Sequence, residues 1–332
     1  MSETTDLNGS SAASRAARDE ALRQALDSLR REIRARFPKS RGGRALPSSE
    51  LEQIDWIELF QVIRRRASAI GMSERSGEVD EFGMDEIVLR RARPLLDLLQ
   101  DRYWRIDLHG IAGVPPGPCL LVANRSGLLP YDGLMLSHAL ARARSGGDHP
   151  RFLVADWLIT LPFVQPYLAR LGGVRACREN AERLLSSGHA VVAFPEGVKG
   201  AAKVFRERYR LKRFGRGGVV RVALESGVPL VPVGIVGPEE AHPILFKWGT
   251  PARIVGLPFL PVTPTFPLLG PLGALPLPTK WVIRIGDPID LEHLAPDAST
   301  DELLVSRINE ELRVQIQDLV DTGLADRESV WD

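Results

Sequence analysis

Two short blocks hold the residues of this chain that could do chemistry. Asn124, Arg125 and Ser126 follow an apolar run, and the carboxylate of Asp132 comes shortly after them. The second block consists of Phe194, Pro195, Glu196 and Gly197. A guanidinium keeps its proton at any cellular pH, so Arg125 can grip an anion or pair with a carboxylate but cannot accept a proton.

The pattern around these blocks predicts the elements that must position them. Short apolar runs stand at 119–123, 152–155, 190–194, 230–236 and 281–285. Helical patterns alternate with them near 131–144, 157–170, 178–187 and 215–226. Such alternation predicts an α/β sheet with helices packed on its faces. Both blocks follow the end of a predicted strand, which is where ligand sites of such folds gather.

Taken together, the blocks resemble the signature of the glycerolipid acyltransferase family, the lysophosphatidate and glycerol-3-phosphate acyltransferases. The resemblance runs from about residue 81 to about residue 291 and includes further blocks at 172–175, 178–181, 213–218 and 228–232. In the family the first block reads Asn-His, and that histidine is the catalytic base. The resemblance implies a glycerol-3-phosphate acyltransferase-like fold, a mixed sheet flanked by helices, with Arg125 at the position of the base.

The family activity implied by the resemblance is O-acylation of a glycerolipid. The donor would be acyl-CoA or acyl carrier protein, and the acceptor the hydroxyl of a lysophospholipid such as lysophosphatidate. No metal or other cofactor is implied. The residues matched to acceptor binding are Phe194, Pro195, Glu196 and Gly197, with Lys199 and Arg175 facing the phosphate. Arg216 lies in a glycine-rich stretch that is either an anion nest or a helix-entry loop.

Asp132 matches the family's aspartate, which orients the base. Its distance from Arg125 along the chain is longer than the family's commonest spacing, and the intervening residues predict a longer turn. A carboxylate at the start of a helix is also favourable there as a cap or dipole partner. Both interpretations of Asp132 stand at this stage. His138, farther along the same predicted helix, is a weak candidate for a substitute base.

Arginine cannot take the place of the base. Neutralising a guanidinium at neutral pH costs about 7 kcal/mol or more, whereas general-base catalysis contributes roughly 3–5.5 kcal/mol. Three hypotheses follow. The fold transfers acyl groups slowly by positioning, with Asp132 or another group taking the proton. It has become a pseudoenzyme that binds lipid or acyl thioester, alone or with an active paralogue. Or Arg125 holds a different anionic ligand.

Composition excludes several other classes. With 44% hydrophobic and 26% charged residues, the chain is an ordinary globular protein. A net charge of +1 argues against a nucleic-acid binder. The two cysteines have neither disulfide-framework nor zinc-site spacing. Without an apolar signal core or a long apolar stretch, we expect a cytoplasmic protein whose membrane contact is peripheral, on the inner face.

The sequence predicts four regions. Residues 1–15 are polar and predicted to be disordered. Residues 16–80 form a helical extension whose leucine spacing suits either packing on the body of the protein or a dimer. The acyltransferase-like domain covers 81–295. Residues 296–332 form a C-terminal helix packed on it, with Thr300 as the expected N-cap.

Two segments could contact lipid. Residues 82–105 mix leucines and aromatics with arginines, which suits a helix in a headgroup layer or a core helix with a basic face. Pro94 should kink or restart that helix. The proline-rich segment 242–278 is too apolar for a solvated loop, so it packs on the core or faces lipid. We favour the lipid-facing interpretation because Trp248, Phe259, Phe266 and Trp281 concentrate there.

Overall fold

The computed structural model describes residues 79–331, except 128, 145–148, 160–164, 250–251, 253–256, 269–274, 292 and 295–296. The predicted disordered N-terminus, the helical extension and the dimer through it therefore lie outside the described residues. Within the described part, each helix is too short or too polar to cross a membrane.

A seven-stranded sheet forms the centre of the fold, in the order β1-β9-β6-β2-β5-β3-β4. Its strands are β1 Asp107–His109, β2 Leu120–Ala123, β3 Arg151–Val154, β4 Gly173–Arg175, β5 Val191–Ala193, β6 Leu230–Val236 and β9 Val282–Ile285. All neighbouring pairs are parallel except β6 with β9. This confirms the predicted α/β class with a mixed sheet. The three-residue edge strands β1 and β4 were not predicted.

Helices pack on both faces of the sheet. They are α1 Glu86–Leu98, α2 Tyr131–Ala143, α3 Asp156–Ile159, α4 Gln165–Arg170, α5 Arg178–Ser186, α6 Gly197–Ala201, α7 Gly218–Ser226, α8 Pro238–Ala241 and α9 Glu302–Asp326. Of the two larger buried clusters, one includes Trp104, Leu140 and Trp281, and the other includes Leu184, Val220 and Ile316. The sheet therefore separates two apolar layers, and its strand ends are left to carry the polar residues.

The last helix, α9, covers the second layer. Ile308, Leu312, Ile316 and Val320 are buried along one stripe of this 25-residue helix. Its N-cap is Asp301, whose carboxylate accepts hydrogen bonds from the N–H groups of Leu303 and Leu304. The expectation of Thr300 as N-cap was wrong by one residue, because Thr300 ends a preceding 3₁₀ turn.

Helix α1 begins at a regular cap and continues through its proline. The Asp85 carboxylate accepts from the N–H groups of Ile87 and Val88. The helix runs through Pro94 to Leu98 and is followed by a π turn, so it does not restart at the proline. The aromatic end of the segment belongs to the core: Trp104 is fully buried and stacks on Trp281 with ring centroids 4.4 Å apart.

The proline-rich segment divides between core and surface. Phe259 and Trp281 are buried, which corrects the expectation that they face lipid. Trp248 is exposed on a separate two-stranded hairpin, in which β7 Phe246–Trp248 pairs with β8 Leu260–Val262. A short isolated hairpin tolerates proline because one edge of each strand needs no partner.

The Trp104–Trp281 stack should be a main source of stability for the first apolar layer. Trp104→Ala should lower the free energy of unfolding by about 3–5 kcal/mol, because a fully buried indole is replaced by a cavity. Chemical denaturation followed by circular dichroism measures this change. Trp331→Ala, at an exposed tryptophan, is the matched control and should change stability by less than about 0.5 kcal/mol.

Candidate active site

The first block stands at the carboxyl end of β2 and is fixed there by Asn124. The buried Asn124 amide donates to the carbonyl oxygen of Ile235 at 2.9 Å and accepts from its N–H at 2.7 Å. The Asn124 side chain therefore makes the same pair of hydrogen bonds to β6 that the backbone of a neighbouring strand would make. Asn124 is a positioning residue that fixes where Arg125 begins.

Arg125 and Asp132 form a buried ion pair. The guanidinium Nη1 lies 2.5 Å from the Asp132 Oδ1 atom, and the two side chains are 8% and 0% exposed. The Asp132 carboxylate also accepts from the N–H groups of Ser126 at 3.1 Å and Gly133 at 2.8 Å. The longer turn therefore brings the two predicted residues together. The Asp132 carboxylate therefore accepts both from the N–H of Gly133, at the start of its own helix, and from the Arg125 guanidinium.

Hydrogen-bond donors surround the carboxylate of Asp132. Burial, the largest influence, raises the pKa of Asp132 above its ordinary value, although the Arg125 guanidinium and the N–H groups of Ser126 and Gly133 act to lower it. Those donors occupy both carboxylate oxygens, the arrangement expected of an ionised carboxylate. Among the described residues, its hydrogen-bond partners are Arg125, Ser126 and Gly133, with no imidazole among them. His138 instead contacts Asp97 at 3.0 Å.

The second block is tied to the first through Glu196. The Glu196 carboxylate accepts from the Arg125 N–H at 2.8 Å and from the Lys212 N–H at 2.7 Å. Its side chain is 0% exposed, and it positions the backbone of Arg125. That Glu196 also binds the acceptor stays a prediction. Phe194 completes the link, with the Arg125 guanidinium 5.1 Å from the centre of its ring.

Lys203 is a buried residue that the sequence interpretation missed. Its ammonium lies 2.6 Å from the Glu239 Oε1 atom and 3.5 Å from the Glu196 Oε2 atom. Burial raises the pKa of Glu239, and Lys203 is the neighbour that most lowers it. The sequence does contain a signal for this residue, because Lys203 stands between the apolar pairs Ala201-Ala202 and Val204-Phe205. A lysine that is buried among such residues usually has an acidic partner.

An apolar groove of about 360 Å³ opens beside the ion pair. Its apolar walls include Leu120, Leu153, Ala181, Ala193 and Val222. Arg125, Phe194, Pro195 and Gly197 also line it, so both blocks meet the groove. Gly197 is exposed and has a φ of +56°, a conformation that glycine adopts without strain. The arrangement suits an apolar chain with a polar end near Arg125.

The predicted phosphate-binding cations are spread around the site. Arg175 pairs with Asp156 at 2.8 Å on the surface and is absent from the described lining of the groove. Two other arginines, Arg178 and Arg221, line the groove but pair with Glu182 and Glu302. Lys199 and Arg216 are exposed, and neither has an acidic partner among the described residues. In that part of the chain, no group of three or more His, Cys, Asp or Glu could hold a metal ion.

Comparison with known proteins identifies proteins that are similar to this chain in sequence or in structure. The family described as Acyltransferase matches residues 105–236. An uncharacterised protein of Mycobacterium tuberculosis is 41% identical over 255 residues, 76% of this chain and 71% of that protein. The "DGAT1/2-independent enzyme synthesizing storage lipids" of Gallus gallus is 26% identical over 217 residues, 64% of this chain and 60% of its own. The crystal structure of the lysophosphatidate acyltransferase PlsC from Thermotoga maritima aligns with a TM-score of 0.44 and 17% identity, covering 82% of this chain and 90% of that one.

Gly200 should be required for the contact between the two blocks. A Cβ atom added there would stand 2.5 Å from the Glu196 Cβ and 2.8 Å from the Arg125 Cβ. Gly200→Ala should therefore cost about 1–3 kcal/mol of unfolding free energy through overpacking, despite the better helix propensity of alanine. Gly215→Ala, where an added Cβ meets nothing within 4 Å, is the control. Equal stability of the two variants in chemical denaturation would contradict the contact.

Lys203→Met should destabilise the protein in a pH-dependent manner. Removing one partner of a buried charge group typically costs about 3–5 kcal/mol. Without Lys203 the folded-state pKa of Glu239 should rise further above its unfolded value. The variant's stability should then fall as pH rises, so its deficit against wild type should be larger at about pH 8 than at about pH 5.

The control for Lys203→Met is the double variant Lys203→Met with Glu239→Gln. It removes the carboxylate that is left closest to the missing ammonium, so it should recover stability at the higher pH and lose most of the added pH dependence. Urea denaturation at both pH values measures each variant. A single-variant deficit that does not change with pH would show that Lys203 contributes by packing alone.

Proposed function

The chain belongs to the glycerolipid acyltransferase family, and we propose that it binds that family's acyl substrates without performing the family's base-catalysed transfer. It is a lipid-binding or acyl-thioester-binding pseudoenzyme. The donor class is acyl-CoA or acyl carrier protein, and the acceptor class is a lysophosphatidate-like lysophospholipid.

The observation that carries this proposal is the buried Arg125–Asp132 ion pair. A general base must accept a proton from the alcohol, within hydrogen-bond reach of it. The guanidinium of Arg125 contains no atom that can accept a proton. Asp132 is fully buried, and both of its carboxylate oxygens already accept hydrogen bonds. Removing either charge would leave the other buried without its partner, which is costly. The pair therefore keeps the shape of the site while excluding its expected chemistry.

The groove supports binding of an acyl chain. Its volume of about 360 Å³ lies in the usual range of ligand sites, roughly 300–1,000 Å³. Burying each methylene of a chain against such walls contributes about 0.8 kcal/mol. A thioester carbonyl or carboxylate at the polar end could accept a hydrogen bond from the Arg125 guanidinium. Acyl binding thus needs no proton transfer.

Lys199 is the residue best suited to the acceptor's phosphate. It follows Gly197 on helix α6, is exposed, and has no acidic partner among the described residues. Arg175 is less suited because it is already paired with Asp156 on the surface. The proposed contact is therefore a single ammonium on the headgroup phosphate, with Arg216 as a second exposed cation.

Slow acyl transfer is the second candidate function. It is favoured by the intact groove beside both blocks, because holding donor and acceptor together can itself contribute several kcal/mol. It requires a proton acceptor other than Arg125. The engaged oxygens of Asp132 argue against that residue, so we place this candidate second.

A thiol-release assay separates the two candidates. Wild-type protein mixed with acyl-CoA and lysophosphatidate should release thiol no faster than the uncatalysed reaction. Arg125→His should gain activity because it supplies an imidazole beside Asp132, by about 10²–10⁴-fold if general-base catalysis is restored. Adding Asp132→Asn to Arg125→His should remove that gain.

Wild-type turnover that is abolished by Asp132→Ala would reject the pseudoenzyme. A binding measurement accompanies the assay, so that an unfolded protein is not mistaken for a folded protein without activity. A fluorescent acyl chain should bind the wild type, and Ala176→Trp should weaken binding by narrowing the groove from its exposed wall. Arg125→His should still bind the probe, because the apolar walls that hold the chain are unchanged.

A further inference from the structure

Large apolar side chains are exposed along one part of the surface, away from the residues that line the groove. We call this set the apolar edge; its members, 45–61% exposed, are Leu95, Leu98, Leu245, Phe246, Trp248 and Leu275. They belong to helix α1, to the hairpin strand β7 with the residue before it, and to the segment after residue 274. Single exposed leucines are ordinary, but a set drawn from neighbouring segments marks an interaction surface.

Hydrogen bonds show that the three segments are neighbours. The Tyr103 hydroxyl, just beyond α1, donates to the Pro276 carbonyl oxygen at 2.7 Å. The next residue of that segment, Leu277, donates its N–H to the Ala241 carbonyl oxygen at 2.8 Å, shortly before β7. The segment around Pro276 therefore joins the end of α1 to the approach to the hairpin.

The charges along α1 are sorted by face. Asp97 and Asp101 pair with Arg142 of helix α2, and Asp97 also contacts His138. These bonds neutralise Asp97 of α1 and Asp101 of the following π turn against helix α2. A solvated helix surface would usually mix both signs, but after Glu86 in its first turn α1 carries no further unpaired acid among the described residues.

The outward stripe of α1 is both basic and apolar. Arg91, Leu95 and Leu98 follow at spacings of four and three, which places them on one face, and Arg102 comes in the next turn. Arg91 and Arg102 are exposed, and neither has an acidic partner among the described residues. Two exposed leucines thus lie between two arginines whose charge is not neutralised locally.

We propose that the apolar edge docks onto an anionic lipid surface. Its leucines and the Phe246 and Trp248 rings would enter the boundary between headgroups and acyl chains, where such side chains are favoured. Arg91 and Arg102 would lie at the level of the phosphates, with their stems along the apolar surface. The complementarity of this basic, apolar surface with anionic headgroups favours lipid over a second protein. The inference does not depend on the proposed function.

Vesicle flotation with the full-length protein tests the proposal. Wild type should bind phosphatidylglycerol-containing vesicles at low salt, and pure phosphatidylcholine vesicles much more weakly. The variant Leu98→Asp with Trp248→Asp should bind roughly tenfold less or weaker still, because two exposed anchors become anions. Leu303→Asp is the matched control, since Leu303 is 84% exposed on α9 and should bind as wild type does.

A second pair of variants tests the charges. Arg91→Glu with Arg102→Glu should lose most of the preference for anionic vesicles and most of the salt dependence of binding. Thermal denaturation of each variant verifies that it is folded. Should the aspartate variant unfold, quenching by bromine-labelled lipids replaces it: Trp248→Phe, which keeps an aromatic ring, should still bind but show less quenching than wild type.

Three results would overturn the proposal. Wild type could fail to float with anionic vesicles, or the folded aspartate variant could bind as wild type does. Alternatively, wild type could self-associate without binding vesicles, with the aspartate variant remaining monomeric in sedimentation. That last result would identify the apolar edge as an interface between copies of the chain.

Discussion

The organisation of this site depends on one buried ion pair. Asp132 is fully covered at the start of α2, and the Arg125 guanidinium neutralises it there. The backbone of Arg125 is in turn held by Glu196, and Lys203 lies between Glu196 and Glu239. Each buried charge thus has an opposite charge beside it, which is the condition under which charges can be buried at all. The two sequence blocks are consequently joined by charge pairing as well as by apolar packing.

An arginine at position 125 makes a different type of site from the histidine that the family resemblance implies there. A histidine beside Asp132 could bind and release a proton near neutral pH. Arginine instead supplies a permanent cation with several donors. In the proposed pseudoenzyme, the carboxylate that would orient a base is a structural anion. Arg125 lines one part of the groove, whereas the apolar walls come from other elements: β2, β3, β5, α5 and α7.

The sequence predicted the parts of the fold that have a local signal. The strand β6 was expected over 230–236 and is observed over Leu230–Val236, because a continuous apolar run bounded by turns indicates a buried strand. The edge strands β1 and β4 have three residues each, too few for a periodic pattern. The roles of Glu196 and Lys203 come from contacts between residues far apart in the chain, which one sequence does not specify. Glu196 was predicted to bind a ligand because its motif was recognised, whereas its bonds to Arg125 and Lys212 could be found only in three dimensions.

The proline-rich segment shows why composition alone gave an incomplete answer. Its prolines cannot donate to a sheet, so the backbone carbonyls around them need donors from elsewhere. Side chains that follow α1 supply them: Tyr103, Trp104 and Arg105 donate to the carbonyl oxygens of Pro276, Leu277 and Pro278. These bonds hold Trp104 beside Trp281, and both rings belong to the core. The same bonds hold the exposed Leu275 beside the end of α1. One set of hydrogen bonds therefore fixes the core packing and also places exposed apolar residues next to a basic helix.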